Sequence, residues 1–566
     1  MEVCITMNME QLKQRISIDR IRKDMEYLTS FDKVTGTEGG EKSASYIFEQ
    51  LQAASVDCKM ARFEEYLSDP VSSTVEVPSL NLQIESTPRS SSFECAGVED
   101  ELVYDPLGSE IVYISNEREK FLESLRGKIV MAYTDSEYYC KVMERYGVKA
   151  LILVWPSDDP IREDTVSAVW GTPTADTHLT LPLLPVVGIT SQGGKKLIDL
   201  MEQGPVTVRV STHLNTNVRT ISMPMCEIKG QSEEFVLLSC HYDAWYKGAF
   251  DNCAANAAAI ELARVFKQFQ SELKRSIRIV WWGGHSNGRY AGSTWYCDHY
   301  WQDLRKNCIA HFTADLMGSK DGEVLGIKTT GMEGQAFIHS VADSVDPGIR
   351  EYYGRLGRRG EQSFFTADIP FHMYLRYELA PEKRTSTAPG GSWWWHTAED
   401  TLDKIGFDVL EKEAQMWYGI AMHLANDDRL PFDAETVFGQ VISELKSAHE
   451  DSESEFDFSE IIREMEIFRD TTLSALDHSK TDEQYNQVVR LAAGSINRLR
   501  QTYGSRYSQD LAYDDGLYPR LCSVKGKRKA ETSPKHYLFM KTDFIRQKNR
   551  MLEELPDICE KLKKLV

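Results

Sequence analysis

The 566-residue sequence contains no run of about 18 apolar residues, which is the length that a membrane-spanning helix needs. Its N-terminus, MEVCITMNMEQLKQRISIDR, has no basic segment followed by an apolar core, so it does not resemble a secretory signal peptide. These two absences predict a cytoplasmic protein with no membrane partner.

An excess of positive charge is also missing. The chain has 65 basic and 86 acidic side chains, and its formal net charge is −21. A negative surface repels phosphate backbones and anionic lipids, so nucleic acid is not expected as a partner. Hydrophobic residues make up 42% of the chain and charged residues 27%, a balance typical of soluble globular proteins.

Paired cysteine motifs are absent as well. The eleven cysteines include no CxxC pair and follow no regular spacing. Disulfide frameworks and cysteine-based zinc sites depend on such patterns. The cysteines are therefore predicted to be buried free thiols.

The length predicts three or four structural units, since one domain usually holds about 100 to 200 residues. Shifts in composition divide the chain into four regions, which are residues 1–97, 98–215, 216–430 and 431–566. The first region opens with two helices, and the second carries the short β-branched runs GKIVMAY, KALILVW and LPVVGIT, typical of a small α/β module. The last region has apolar residues at helical spacing and is predicted to be helical.

The region 216–430 contains three buried strands, predicted from the apolar runs in EFVLLSCHYDAW, IRIVWWGG and IAHFTADLMGS. The helix NAAAIELARVFKQF follows the first of them. Strands that alternate with helices at this spacing predict an α/β fold, with a mostly parallel mixed sheet flanked by helices.

Polar residues with metal-binding chemistry follow these strands. His241 and Asp243 lie at the end of the first strand, Asp251 opens the following helix, Asp315 ends the third strand, and His396 lies farther along in SWWWHTAED. Each of them alone has an ordinary explanation, as a helix cap, a turn residue or a packed ring. Together they form the nitrogen and oxygen ligand set that suits zinc or a similar divalent ion. At positions i and i+2, the carboxylate of Asp243 is expected to accept the second N–H of His241.

The segments HYDA, FDNCAANAAAIELAR, ADLMGS and HTAEDTLDKI are similar in order and spacing to motifs of the M28 family of zinc peptidases. That family includes aminopeptidases and the glutamate carboxypeptidase and transferrin-receptor branch. The resemblance implies that residues 1–97 and 216–430 form one metallohydrolase catalytic domain. It further implies that residues 98–215 are an inserted protease-associated-like domain, and that residues 431–566 are a helical dimerisation domain of a homodimer.

The same resemblance implies a ligand set. One metal ion would be held by His241 and Asp315 and a second by His396, with Asp251 bridging the two ions and Asp243 orienting His241. One or two divalent ions are expected, most readily zinc, although manganese and cobalt fit the same ligands. Two such ions, about 3.5 to 4 Å apart, polarise a scissile carbonyl and activate a water molecule.

The chain departs from the family pattern at HSNG, residues 285 to 288. The family places two adjacent glutamates here, a general base and a metal ligand, whereas this chain has His285 and Ser286. Three interpretations remain open. His285 replaces the lost metal ligand; or His285 is the general base, since its reference pKa of about 6.5 suits proton transfer at neutral pH; or the site is degenerate and does no hydrolysis.

Several nearby side chains are candidates for substrate binding. Arg289 has the geometry to clamp a carboxylate, and Tyr290 is a donor for a developing oxyanion. Arg358, with the other arginines of GRLGRRGEQSFF, favours an acidic substrate, and the aromatic residues around Trp394 favour a bulky apolar group.

The sequence thus predicts a metal-dependent hydrolase that cleaves a peptide or small amide. Two alternatives are kept. One is a single-zinc acyl transferase of the glutaminyl-cyclase type, which the same family fold supports. The other is a non-catalytic, receptor-like binding protein, which the loss of both carboxylates favours.

Overall fold

The computed structural model describes residues 15–108, 114–332, 334–452, 455–513 and 516–566. Cys4 and most of the N-terminal segment in which no leader peptide was expected lie outside these residues. The ten cysteines that the structure describes are all free thiols, as predicted; seven are buried, and Cys58, Cys95 and Cys522 are half-buried rather than buried. Within the described ranges, no helix is long and apolar enough to span a membrane.

A mixed sheet forms the centre of the fold. Its fourteen strands are β1 (Asp57–Val77), β2 (Leu82–Ile84), β3 (Ser86–Pro88), β4 (Cys95–Tyr104), β5 (Ile129–Ala132), β6 (Ala150–Val154), β7 (Val186–Ile189), β8 (Thr207–Ile228), β9 (Phe235–His241), β10 (Ser276–Trp282), β11 (Cys308–Thr313), β12 (Val324–Thr329), β13 (Arg350–Arg355) and β14 (Phe371–Glu378). The strands run in the order β13-β12-β14-β11-β9-β10-β8-β4-β5-β6-β7-β3, and β1 pairs with β8 and β2.

The centre of the sheet is parallel. β10, β9, β11 and β14 are parallel neighbours, whereas β12 is antiparallel to β14, and β8 is antiparallel to β10. Every residue of β9 and β11 is buried, as expected for strands that helices cover on both faces. The predicted fold class, an α/β fold with a mixed sheet flanked by helices, is confirmed.

Thirteen α-helices are described. They are α1 (Ile18–Leu28), α2 (Glu38–Ala53), α3 (Asn116–Ser124), α4 (Glu137–Tyr146), α5 (Ser191–Met201), α6 (Ala254–Gln268), α7 (Ala291–Asn307), α8 (Gln335–Val345), α9 (Phe407–Asn426), α10 (Ala434–Asp451), α11 (Ser459–His478), α12 (Asp482–Gln501) and α13 (Pro534–Lys563). The alanine-rich α6 is buried along most of its length, because small side chains let it pack closely against the sheet. The last four helices form the helical C-terminal region.

Two long strands, which the sequence analysis did not predict, join the small α/β module to the central sheet. β1 and β8 pair along almost their whole length, with an irregularity between Pro70 and Ser72. Beyond this ribbon, β4 to β7 form the small sheet, and β3 pairs with β7. The small sheet therefore includes residues 86–88, which precede the predicted boundary at residue 98.

Candidate metal centre and active site

Strand ends place the candidate ligands at one edge of the sheet. β9 ends at His241, and β11 ends two residues before Asp315. Asp251 lies in the irregular turn Ala249–Cys253 that precedes α6, and His396 lies in the loop before α9. Because β9 and β11 are parallel neighbours, their carboxyl ends meet at the same place.

Asp251 lies between two histidines. Its Oδ1 is 3.1 Å from Nε2 of His241, and its Oδ2 is 3.1 Å from Nε2 of His396. Oδ1 of Asp315 lies 3.2 Å from the same nitrogen of His241. Within the described ranges, His241, Asp251 and Asp315 form a group whose ligand atoms all lie within 4.8 Å of one another. The four residues predicted from separate segments are therefore brought together.

Both histidines present a lone pair to this group. Nδ1 of His241 donates to the carbonyl oxygen of Asp243 at 2.9 Å, and Nδ1 of His396 donates to the carbonyl oxygen of Glu163 at 2.9 Å. When these rings are neutral, the single N–H is on Nδ1, and Nε2 carries the lone pair that a metal ion would bind. Oδ1 of Asp251 is buried without a hydrogen-bond partner among the described atoms. A set of converging nitrogen and oxygen lone pairs fits a divalent cation such as zinc.

The electrostatics of the group favour positive charge. Burial alone would lower the pKa of His241, but the nearby carboxylates of Asp243, Asp251 and Asp315 raise it well above its ordinary value as long as no metal ion is bound. Burial opposes ionisation of Asp251, yet His241 and His396 hold the pKa of its carboxyl well below the usual range. The Asp251 carboxylate thus remains charged at the centre of the group, where a cation would neutralise it.

Asp400 and Asn252 fix the position of the central carboxylate. The Asp400 carboxylate accepts the backbone N–H groups of Phe250 and Asp251 at 2.8 and 2.9 Å. The Asn252 side chain donates to the carbonyl that precedes Asp315, at 3.1 Å. Asp400 precedes Thr401, and an Asp-Thr pair before a helix is typical of a helix cap, but in the structure the Asp400 carboxylate is directed to the turn that carries Asp251. Burial raises the pKa of Asp400 to about 7.

Asp243 orients His241 in a different way from the predicted one. The side chain of Asp243 was expected to accept the second N–H of His241, but its Oδ1 is 3.7 Å away and its carbonyl oxygen accepts instead. β9 ends at His241, so the chain turns before Asp243 and the two side chains do not share a strand face. The Asp243 carboxylate accepts the backbone N–H groups of His285 at 3.3 Å and Ser286 at 3.1 Å. Asp243 therefore holds the HSNG segment beside His241.

His285 is packed between aromatic rings at the edge of the metal centre. Its ring stacks on His241, with centroids 3.7 Å apart, and meets the ring of Tyr290 edge-on at 4.9 Å. Nδ1 of His285 is hydrogen-bonded to Oε1 of Glu361, a fully buried residue that sequence reasoning missed. Glu361 lies in an irregular loop whose arginines alone drew attention, and no periodic pattern marks it.

A cavity of about 340 Å³ opens over the candidate ligands. Asp251, Asp315, His396, His285 and Ser286 line it together with Arg289, Tyr290, Trp245 and Trp395. The small α/β module also reaches the cavity, through Asp135, Glu137, Asp164 and Thr165. The cavity thus lies between the central sheet and the small α/β module.

Two predicted substrate-binding residues do not line this cavity. Trp394 is 5% exposed and packs edge-on against Phe250 in the core, while its neighbour Trp395 lines the cavity and stacks on His396. The side chain of Arg358 is buried, with Nη1 3.7 Å from the Asp510 carboxylate. In both cases the adjacent residue, Trp395 or Arg359, lines the cavity instead. Adjacent side chains point in different directions, and the local backbone decides which of them faces the cavity.

The other two predicted substrate-binding residues line the cavity. Arg289 forms an ion pair with Glu137 of the inserted module, so its guanidinium already has a carboxylate partner. Tyr290 is 8% exposed, and its ring lies 4.4 Å from that of Trp170.

Four basic residues of the cavity come from neighbouring segments and were not predicted as a group. They are Lys328 of β12, Arg355 of β13, Arg359 of the following loop and Arg376 of β14. Nε of Arg376 donates to Glu378 at 2.9 Å. Burial and the charge of Arg376 lower the pKa of Lys328. This part of the cavity is suited to an anionic group.

Comparison with known sequences agrees with this geometry. Residues 225–421 match the family model described as Peptidase family M28, and this range includes all four candidate ligands. The chain is 22% identical over 512 residues to the probable glutamate carboxypeptidase VP8 of Zea mays, covering 75% of this chain and 69% of the relative. It is 24% identical over 228 residues to the putative endoplasmic reticulum metallopeptidase 1-B of Caenorhabditis elegans, covering 39% of this chain but only 24% of that protein.

Solved structures show the same fold. An aminopeptidase from Aneurinibacillus sp. strain AM-1 superposes with a TM-score of 0.56 at 23% identity, over 74% of this chain and 96% of that one. A zinc aminopeptidase from Bacillus subtilis gives a TM-score of 0.55 at 20% identity, over 72% and 95% of the two chains. At these identities the likeness concerns the fold.

Proposed function

We propose that this chain, a metal-dependent hydrolase of peptide bonds with a peptidase domain of family M28 over residues 225–421, removes a residue bearing an anionic group from a peptide or small amide. The observation that carries the proposal is the position of Asp251. Its Oδ1 lies 3.1 Å from Nε2 of His241, and its Oδ2 lies 3.1 Å from Nε2 of His396. Asp251 can therefore belong to two ligand sets, one that includes His241 and one that includes His396.

The two ligand sets differ in strength. His241, Asp251 and Asp315 offer three protein ligands, which leaves an open position for water or substrate. Asp251 and His396 offer two, and Ser286 has the position at which the family resemblance implies a third ligand, a glutamate. We therefore expect one tightly held divalent ion, zinc most readily, and a second ion that binds weakly. When bound, such ions supply Lewis-acid polarisation of the scissile carbonyl and ease the deprotonation of water.

His285 is assigned the role of general base rather than that of a metal ligand. Its Nδ1 is engaged by Glu361, and the residue does not belong to the group of His241, Asp251 and Asp315. A neutral imidazole with a free Nε2 accepts a proton from water while the oxygen forms a bond to the carbonyl carbon. The same proton then passes from Nε2 to the departing amine nitrogen as the C–N bond breaks.

The preference for an anionic substrate follows from the basic wall of the cavity. Lys328, Arg355, Arg359 and Arg376 line one part of it, on the strands next to Asp315. A low-dielectric cavity with fixed positive charge attracts a carboxylate and holds it in place. The maize relative, named as a probable glutamate carboxypeptidase, is consistent with this proposal.

The first test is metal content. Protein purified without chelators or a histidine tag should carry one equivalent of zinc after dialysis, measured by elemental mass spectrometry, and take up a second at higher zinc concentration. His241→Ala should lose the tight equivalent. His339→Ala is the matched control, since this exposed histidine pairs with Glu351 away from the cavity. No bound metal after soaking would contradict the proposal.

The second test is the substrate. Dipeptides with acidic or neutral end residues, each with a blocked amino or a blocked carboxyl end, establish which bond is cleaved. Lys328→Met should raise KM for acidic substrates about tenfold and leave neutral ones almost unchanged. Lys541→Met, on the exposed surface of α13, is the control. Equal rates for acidic and neutral peptides would remove the proposed specificity.

We make further proposals about the domain type, the oligomeric state and the cellular location of the protein. We expect the inserted module to be a protease-associated-like domain, the helical C-terminal region to form a homodimer, and the protein to act in the cytoplasm. The exposed Leu538, Phe539 and Ile545 on α13 support a contact surface there. Light scattering should give twice the chain mass of 64.5 kDa; a mass of one chain would contradict the dimer.

A further inference from the structure

Glu361 brings a carboxylate to the place where the sequence has lost two. It lies in the loop between β13 and β14, more than seventy positions after HSNG, and its side chain is fully buried. One oxygen, Oε1, is hydrogen-bonded to Nδ1 of His285, while Oε2 has no hydrogen-bond partner among the described atoms. Burying a carboxylate without a partner is energetically unfavourable, and the hydrogen bond to the His285 imidazole offsets part of this free energy for Glu361.

This contact fixes the tautomer of His285. In this contact Nδ1 donates to the carboxylate oxygen, which leaves the lone pair on Nε2. The two ring nitrogens are distinct, and the partner of one decides the chemistry of the other. With Glu361 in place, Nε2 is the nitrogen available for proton transfer.

The ring of His285 is also held on its other sides. It stacks on His241, with a 10° angle between the planes, and Tyr290 packs against it edge-on. The backbone N–H of His285 donates to the Asp243 carboxylate at 3.3 Å. Position, plane and tautomer of the imidazole are therefore set by four different residues, of which only Glu361 acts on the tautomer.

We propose that Glu361 is a positioning residue that holds His285 in its Nδ1–H tautomer, so that the His285–Glu361 pair replaces the adjacent glutamates absent from HSNG. This inference rests on the proposed function, because it assigns the orientation of the general base. Glu361 is fully buried and does not line the cavity, so it acts through His285. The pair restores a carboxylate to the site from a distant loop instead of from the strand end.

The test compares two variants of similar volume. Glu361→Gln keeps an oxygen that accepts the Nδ1 hydrogen but removes the charge, whereas Glu361→Met removes the hydrogen bond as well. We expect kcat to fall about 10²-fold or more in Glu361→Met, and less in Glu361→Gln, with KM within twofold of wild type in both. Zinc content should stay at the wild-type value, because Glu361 is not assigned as a ligand.

Glu261→Gln is the matched control. Glu261 is also fully buried, but its carboxylate pairs with Arg20 and Arg264, and none of these three residues lines the cavity. This variant should lose stability and keep kcat. A Glu361→Met protein that retains kcat within threefold, or that loses zinc, would overturn the inference.

A spectroscopic measurement separates this inference from the proposed function. The nitrogen chemical shifts of ¹⁵N-histidine-labelled, zinc-loaded protein report each tautomer, and His285→Gln identifies the signal of His285. We expect Nδ1–H in wild type and Nε2–H in Glu361→Met. If this change is seen but no peptide is cleaved, the positioning role stands and the proposed hydrolysis fails. If wild type and Glu361→Met have the same tautomer, the positioning role is wrong even when hydrolysis is found.

Discussion

The imidazole rings of His241 and His285 lie in stacked planes, 10° from parallel and 3.7 Å apart. His241 belongs to the candidate metal centre, and His285 occupies a position where related sequences were expected to have a glutamate. The stack means that the replaced residue is packed onto a candidate ligand instead of pointing away from it. The HSNG segment therefore contributes a packed ring to the candidate metal centre.

Neighbouring tryptophans give a first prediction, because they face opposite ways. Trp395 lines the cavity and stacks on His396, whereas Trp394 packs in the core. Trp395→Ala should raise KM for bulky substrates about tenfold, which corresponds to about 1.4 kcal/mol. Trp394→Ala should leave KM within twofold and lower the free energy of unfolding by about 3–5 kcal/mol. Steady-state kinetics and melting temperatures distinguish the two, and a raised KM in Trp394→Ala would show that our assignment is reversed.

The apolar pattern of the sequence predicts the centre of the fold well. β9, β10 and β11 are recognisable as buried strands, because most of their residues are apolar and polar residues follow within a few positions of each strand. The ligands at their ends, His241 and Asp315, could be predicted for the same reason. β1 was missed, since its charged and polar residues reflect a partly exposed ribbon, and the residues of β8 with which it pairs are 133 to 170 positions farther along the sequence.

Residues that act through tertiary contact could not be predicted from local pattern. Glu361 lies in an irregular loop, and only folding brings it to His285. Asp400 looked like a cap, because the same carboxylate geometry serves a helix end and the turn at Asp251. Arg358 and Trp394 were chosen in the right segments, but a sequence does not state which of two adjacent side chains faces a cavity.

The ion pair between Arg289 and Glu137 gives a second prediction, about the inserted module. Both side chains are nearly buried, and the pair joins the HSNG region to the start of α4. Arg289→Met or Glu137→Gln leaves the other charge without its partner, so each should cost about 3–5 kcal/mol of stability. The double variant Arg289→Met/Glu137→Gln should lose less than the sum of the two.

Melting temperatures of the single and double variants measure this coupling. Arg350 and Glu382 are the control pair, since both are well exposed and an exposed ion pair contributes about 0–1 kcal/mol. Additive losses in the Arg289 and Glu137 variants would mean that the two side chains stabilise the protein independently, and would contradict the proposed link between module and site.

Glu65 gives the third prediction, which concerns pH. This carboxyl is 3% exposed, and its main polar contact is the hydroxyl of Thr172. Burial raises its pKa to about 8, from an ordinary value of 4.5. Between these values the folded protein keeps the proton and the unfolded chain releases it, so stability falls as pH rises from about 4.5 to about 8, by at most about 1.4 kcal/mol per pH unit.

Glu65→Gln removes this titration without removing the hydrogen-bonding group, so the variant should gain stability relative to wild type at each step from pH 5 to pH 8. Glu64→Gln is the control, because the adjacent Glu64 is exposed and its substitution should leave the difference from wild type nearly constant. Melting temperatures at several pH values measure both differences. A difference between Glu65→Gln and wild type that does not change with pH would mean that Glu65 is ionised in the folded protein, and that Thr172 and solvent stabilise its charge more than burial opposes it.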